Sequence, residues 1–385
     1  MPNKTLPALL FLVAFLVGAD ELLLGPILQP IGQDLGVPAE RITLFITAYS
    51  LAIAFIAPHF GRLSDQWGRL RIMLPACVLF GLSSIATGLV DQFDVGLLTR
   101  VMTGLASAGM LPIAFALAGD QPGDKAMKQI ALVQAGLTLG MITSPAIGAF
   151  LTEWLSWRAA FIVLGVAALI VAALLAVQGG THYVKNKTAK PEQPAMAQLL
   201  QIPGARGALL TMGLGLGGGI GVFNLVGQRL SDATELDIAL VGLTYAVLGG
   251  VSVMGNMVMS RAIRRLGSGR AVMRTALVVC LLCSAWVFGG SATHVLMFLP
   301  VLFFWSLAGG IGSPALQNHI AQLSDSHRGT LMAMGMSMMH LGVAIWSGLA
   351  GFAYSLGSIW LAVLAVGLFS AAIAALKPIP VSGAD

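Results

Sequence analysis

The sequence predicts an all-α membrane protein with twelve transmembrane helices in two six-helix bundles. Of its 385 residues, 57% are hydrophobic and only 10% are charged, whereas a soluble domain typically carries about 25% charged residues. Twelve apolar runs are each long enough to cross a hydrocarbon core of ~30 Å, which takes about 20 helical residues. The runs lack the alternating pattern of barrel strands, and backbone groups in lipid must bond internally, so helices are expected.

The order of these runs gives the domain organisation. The longest polar connector follows the sixth run, and it predicts an N-terminal bundle (1–178), a flexible cytoplasmic linker (179–206) and a C-terminal bundle (207–385). The other connectors are too short for a soluble domain, and no GxxxxGK[ST] phosphate-binding pattern occurs. We therefore expect energy from an ion gradient or from the substrate itself. The predicted spans begin near Leu6, Ile42, Ile72, Val95, Gln129, Ala159, Ala208, Ile238, Ala271, Val295, Thr330 and Ser358.

The distribution of basic residues predicts the orientation in the membrane. If the amino terminus is cytoplasmic, seventeen of the 21 lysines and arginines fall in inside segments and three in outside loops, with Arg100 left inside a span. This bias predicts that both termini are cytoplasmic, as in a multi-pass protein of the bacterial inner membrane. It also accounts for the net charge of +5 without a nucleic-acid partner, because the basic residues form no patch.

A charged connector, GRLSDQWGRLR, lies between the second and third runs, from Gly61 to Arg71. We interpret it as a loop that moves the neighbouring helices. Its Gly61, Asp65, Gly68 and Arg69 resemble the signature loop of the major facilitator superfamily, and the resemblance covers essentially the whole chain. It implies the two-bundle transporter fold, with no cofactor.

The same resemblance implies a conformational gate. In the family, Asp65 and Arg69 would lock the bundles in the outward-facing state, with Asp120 as the acid at the inner end of span 4. The corresponding segment of the second half, SRAIRRLGSGR, has Arg264 where the first has Asp65. A gate built from these residues is therefore expected to be one-sided. The alternative interpretation is that the charges only set topology.

Three charges lie within spans, where a charge is costly and indicates a functional site. Asp20 and Glu21 lie about 21 Å from the inner surface, and Arg100 lies about 8 Å from the outer surface, at ~1.5 Å per residue. These depths coincide in a core of ~30 Å, so an ion pair is feasible, and it could switch when a proton is taken up. A static buried salt bridge is the alternative.

Adjacent residues point about 100° apart on a helix, so Asp20 and Glu21 are not expected to face the same cavity, and Asp20 ranks slightly ahead as the partner. Its setting, VGADE, resembles the acid-bearing first helix of drug exporters in the superfamily. Arg100 with Gly104 resembles the family's RxxxG pattern, to which a role in proton transfer is attributed.

Span 5 carries small residues at four-residue steps, including Gly140 and Gly148, with Pro145 between them. Such a stripe is suited to close packing of another helix. The segment GMITSPAIGA also resembles the antiporter motif GxxxGPxxGG, with Ser144 and Ala149 in place of two glycines. The resemblance implies export.

The second half is poor in charge. Its candidate substrate-cavity residues are His340, Asn224, Gln317 and Trp305. For His340 and Trp305, packing in the core is the alternative interpretation. The three cysteines all fall in spans, where packing is expected rather than metal binding.

These observations predict a proton-coupled exporter of a small amphipathic molecule, such as a drug or a secreted metabolite, that works by alternating access as a monomer. The alternative is a proton-coupled uptake symporter of a small metabolite or sugar. An enzyme is not expected, because the sequence offers no nucleophile with a base and no metal cluster.

Overall fold

The computed structural model of the protein describes residues 5–120, 124–179, 196–234, 236–324 and 328–376, without the side chains of Arg62, Asp65, Gln66 and some others. In these ranges the chain is helical and contains no strand, and twelve helical segments are long and apolar enough to span a membrane. Both parts of the fold prediction are thus confirmed. The expected linker falls largely on residues 180–195, which lie outside the described residues.

The first six spans are built from eight α-helices. Spans 1 and 4 each comprise two helices, and the other four are single helices. The helices are α1 (Thr5–Leu22), a 3-10 turn (Gly25–Ile27) and α2 (Leu28–Asp34) in span 1; α3 (Ala39–Trp67); α4 (Arg69–Thr87); α5 (Phe93–Ala108) and α6 (Leu111–Gly119) in span 4; α7 (Asp124–Trp154); and α8 (Trp157–Gly179).

The second six spans follow a short helix, α9 (Met196–Leu199). Span 7 is interrupted twice, first by a π-helical stretch (Met212–Gly217) and then by a break after Phe223. The remaining spans are single helices. The helices are α10 (Ala205–Thr211), α11 (Gly218–Phe223) and α12 (Val226–Thr234) in span 7; α13 (Ile238–Leu266); α14 (Gly269–Gly289); α15 (Val295–Ala321); α16 (Arg328–Ser355); and α17 (Ser358–Ala375).

The two halves repeat the same helix pairing. Span 1 packs on span 5, span 2 on span 4 and span 3 on span 6; likewise span 7 packs on span 11 and span 9 on span 12. Spans 8 and 10 touch where a Cβ at Gly255 would lie 2.7 Å from the Leu307 carbonyl oxygen. Small residues allow these close approaches, because helices in lipid associate through packing and not through a hydrophobic driving force.

The chain forms two compact units. The first comprises residues 1–187 together with 224–247, and the second comprises 188–223 together with 248–385. The first unit thus contains the six N-terminal spans and the adjoining parts of spans 7 and 8. The bundle boundaries expected from the sequence stay a prediction.

The segment between spans 2 and 3 is not the loop that we expected. Helix α3 continues to Trp67 and α4 begins at Arg69, so only Gly68 interrupts the helices. Gly68 has a φ of 104°, a conformation that residues with a Cβ rarely adopt. The second-half copy is also helical up to Leu266 and again from Gly269. The prediction was wrong because polar residues such as arginine and glutamine are good helix formers, so the helices extend beyond their apolar runs.

Candidate functional site

A buried, bidentate ion pair joins spans 1 and 4. Arg100 of α5 donates from Nη1 to Asp20 Oδ1 over 2.7 Å and from Nη2 to Asp20 Oδ2 over 2.8 Å. The two side chains are 1% and 0% exposed. The guanidinium thus contacts both oxygens of one carboxylate through two parallel hydrogen bonds. This bidentate geometry adds strength and specificity to an arginine–carboxylate pair.

Aromatic rings surround the guanidinium. Its Cζ lies 4.7 Å from the ring centre of Tyr49 and 5.6 Å from that of Phe161. The Tyr49 hydroxyl is hydrogen-bonded to Ser107 Oγ at 3.0 Å. A Cβ at Gly104 would collide with the Tyr49 carbonyl oxygen, so the glycine of the RxxxG pattern allows span 4 to approach span 2. The rings stabilise the cation and exclude water from it.

Burial makes this pair energetically expensive. Removing two charges from water costs several kcal/mol per ion, and the mutual attraction repays this only when the remaining hydrogen-bonding groups are also satisfied. Here Arg100 Nε has no hydrogen-bond partner. The pair is therefore a poor device for stability alone.

Glu21 is the next residue of α1 and is half-buried. Adjacent positions on a helix point about 100° apart. Both Nη groups of Arg100 bond to Asp20, and the ranking of the two acids for proton coupling stays a prediction.

The antiporter-like segment of span 5 packs on span 1. A Cβ at Gly140 would collide with the Phe15 carbonyl oxygen, and one at Gly148 would lie 2.5 Å from a methyl carbon of Leu23. Pro145 is buried within α7 between these two contacts. The same Gly140 Cβ would lie 2.7 Å from the backbone nitrogen of Ala19, the residue before Asp20. The segment therefore fixes the backbone that carries the buried acid.

The predicted gate residues are partly brought together. Arg69 Nε lies 3.2 Å from Asp120 Oδ2, and the two side chains are 23% and 47% exposed. Arg69 Nη1 also donates to Ser64 Oγ at 2.9 Å, and Ser64 donates to the Gly61 carbonyl oxygen at 2.7 Å. The backbone of Asp65 belongs to α3, but its side chain lies outside the described part of the structure.

A second ionic cluster lies where spans 1 and 3 end and span 6 begins. Arg158 bonds to Asp34 Oδ2 at 2.8 Å, to Asp91 Oδ1 at 3.0 Å and to the Val90 carbonyl oxygen. Trp157 Nε1 donates to Asp34 Oδ2 at 2.9 Å. The sequence analysis missed this cluster, because its three charged residues, Asp34, Asp91 and Arg158, are separated by 57 and 67 residues of chain and nothing in their local patterns connects them.

The four candidate cavity residues are divided between the units. Trp305 is 4% exposed and packs edge-to-face on Phe223 and Phe288, at ring distances of 5.4 and 6.4 Å. It therefore belongs to the aromatic core of the second unit. His340 is 4% exposed and Gln317 is half-buried in the same unit. Asn224 is completely buried in the first unit.

Comparison with known proteins gives the family. The family model for the Major Facilitator Superfamily matches residues 10–346. The chain belongs to this superfamily. It is accordingly a multi-pass membrane transporter and not an enzyme. Members of the superfamily bind small-molecule substrates in the membrane and typically work as monomers.

Individual relatives are distant. The MFS-type transporter YceJ of Bacillus subtilis is 26% identical over 356 residues, which cover 90% of this chain and 88% of YceJ. The bacillibactin exporter of the same organism is 32% identical over 137 residues, or 34% of each chain. A crystal structure of a variant of the nucleoside transporter NupG has a TM-score of 0.77 at 13% identity, covering 96% of this chain and 98% of that one. At this identity the structural likeness establishes the fold.

Proposed function

We propose that this transporter is a proton-coupled exporter of a small amphipathic molecule, such as a drug or a secreted metabolite, and that Asp20 and Arg100 couple transport to protons. The main support for the proposal is the completely buried, bidentate ion pair between these residues. Protonation of Asp20 removes one charge from the pair and releases Arg100. Deprotonation restores both bonds. Glu21, next to Asp20, is the second candidate for carrying the proton.

The membrane potential can supply the required work. Moving one charge through 100 mV is worth about 2.3 kcal/mol, which corresponds to a substrate gradient of roughly fifty-fold at 1.4 kcal/mol per factor of ten. Alternating access then requires that the pair rearrange with the helices that carry it. Span 1 carries Asp20, and its backbone packs directly on Gly140 of span 5. A shift of span 5 relative to span 1 would therefore move Asp20.

Export rather than uptake is supported by two observations. The span 5 segment with Gly140, Pro145 and Gly148 resembles the antiporter motif, and one of the relatives is named as an exporter. The excess of basic residues in one set of connectors favours a bacterial inner-membrane location with both termini cytoplasmic. In this orientation Asp65, Arg69 and Asp120 would stabilise the outward-facing state from the cytoplasmic surface.

The test is dye flux in proteoliposomes with an imposed pH gradient, using ethidium, acriflavine and Nile red as probes. We expect gradient-driven accumulation of at least one dye with the intact protein. It should fall at least tenfold in Asp20→Asn and Arg100→Ala. Asp94→Asn is the matched control, because Asp94 is an exposed acid at the start of span 4. Unchanged coupling in Asp20→Asn, Glu21→Gln and Arg100→Ala would refute the mechanism.

Direction is tested separately in intact cells that express the protein. An exporter lowers the cellular content of the transported dye, whereas an uptake symporter raises it. Accumulation that depends on the protein would contradict export and leave the buried pair as a coupling device for uptake.

A further inference from the structure

Spans 1 and 7 are both discontinuous, and they break at corresponding places. In span 1, α1 is 18 residues long and ends at Leu22, and a 3-10 turn precedes α2. In span 7, α11 ends at Phe223 and α12 begins at Val226. Interrupted helices in matching positions of the two repeats are a general indicator of a binding site, because the broken backbone can offer polar groups within the membrane.

The two breaks meet within the first unit. A Cβ at Gly227 would lie 2.9 Å from the Gly25 carbonyl oxygen, and one at Gly25 would lie 3.3 Å from the ring of Tyr245. The Gly227 amide donates to the Tyr245 hydroxyl at 3.0 Å, and this hydroxyl donates to the Asn224 carbonyl oxygen at 3.3 Å. Tyr245 thus satisfies two backbone groups that the break in span 7 has freed.

Two buried side-chain amides next to the break in span 7 have polar atoms without hydrogen-bond partners. Asn224 is 0% exposed, and neither its Oδ1 nor its Nδ2 has a hydrogen-bond partner. Gln228 is 7% exposed and its Oε1 also has none, while its Nε2 donates to Asp232 at 2.7 Å. Leaving buried donors and acceptors unpaired costs free energy that an apolar side chain of similar size would avoid. Keeping them indicates that they bind something.

We propose that Asn224, assisted by Gln228, recognises an uncharged group of the transported molecule that presents a donor and an acceptor side by side, as a carboxamide or lactam does. This inference rests on the proposed function, because it names the substrate class of the transporter. A carboxamide can form two hydrogen bonds to another amide edge at once. Asn224 and Gln228 are themselves uncharged, and the carboxylate that contacts Gln228, that of Asp232, accepts a hydrogen bond from it.

The experiment is equilibrium binding to the full chain in detergent, with naphthalene-2-carboxamide and its N,N-dimethyl derivative as probes. The derivative keeps the ring and the carbonyl oxygen but cannot donate. We expect the primary amide to bind at least tenfold more tightly, and we expect Asn224→Leu to reduce this ratio to near one. The matched control is Asn256→Leu, because Asn256 is exposed on α13, and it should keep the ratio.

The melting temperature without ligand separates recognition from structure. Asn224→Leu should melt no lower than Asn256→Leu, since it removes an unpaired buried amide. A much lower melting temperature would mean that the amide holds the fold and would overturn the proposal. The proposal would also be overturned by an unchanged ratio in Asn224→Leu, by no binding of the carboxamide, or by tighter binding of naphthalene-2-carboxylate or 2-naphthylmethylammonium.

Binding at equilibrium needs no gradient, so this test is independent of proton coupling. If dye flux does not respond to the pH gradient but the amide preference depends on Asn224, the exporter proposal fails and the recognition site stands. If flux is proton-driven but the ratio is the same in Asn224→Leu, the recognition site alone fails.

Discussion

Substitution of Asp20 by asparagine would leave the guanidinium of Arg100 buried without a counter-charge. The amide can still accept one hydrogen bond, but it cannot neutralise a cation that is 1% exposed. Breaking a buried pair by removing one partner typically costs about 3–5 kcal/mol. With an unfolding entropy of roughly 2.1 cal/mol/K per residue, that loss lowers the melting temperature of a chain of this length by roughly 4–6 °C.

A double substitution isolates the cause of this loss. Asp20→Asn with Arg100→Gln removes both charges, and replacing a whole buried pair is often neutral or even stabilising. We therefore expect the melting temperature in detergent to return to within about 1 °C of the original. The reasoning is refuted if Asp20→Asn has the same melting temperature as the intact protein. It is also refuted if the melting temperature of the double variant falls by the sum of the two decreases seen in the single variants.

Three further predictions concern other contacts. Gly140→Val should destabilise the chain by about 1–3 kcal/mol, because its Cβ meets the span 1 backbone, whereas Gly367→Val, with open space around it, should not change the melting temperature. Asp120→Asn should change stability by less than about 1 kcal/mol, since its pair with Arg69 is half-exposed, yet lower the dye-flux rate; an unchanged rate would argue against a gate. Arg158→Gln should lower the free energy of unfolding, measured by chemical denaturation, by about 1 kcal/mol. An unchanged free energy would mean that the ionic cluster around Arg158 does not contribute to stability.

The fold was predictable because its signals are local. The twelve predicted span starts lie within a few residues of the observed helix starts, since apolar run length decides which segments can enter a membrane. The ends were less predictable. Arg69 begins a helix, and α3 extends through polar residues to Trp67, because helix propensity continues the backbone pattern into water after hydrophobicity has ended.

The site was predictable only where depth carried the information. Asp20 and Arg100 were expected at one depth from helix rise alone, and the structure places them in contact. Tyr49 and Phe161, which cover the guanidinium, gave no such signal. An aromatic residue in an apolar span has the same sequence pattern whether it faces lipid, core or a cation, so which ring covers Arg100 depends on helix rotation, and rotation is fixed by packing.

The second half of the chain provides an internal control for the role of the buried pair. Asp20 lies two residues before the end of α1, and the residue two before the end of α11 is Gly221, which packs on Ser347. Arg100 lies seven residues after the start of α5, and the residue at that place in α15 is Leu302, which is 0% exposed. The two corresponding positions of the second half thus hold a small and an apolar residue. Because the repeated helices form there without charges at these two positions, the fold does not require the pair, and we attribute its cost to the proposed coupling.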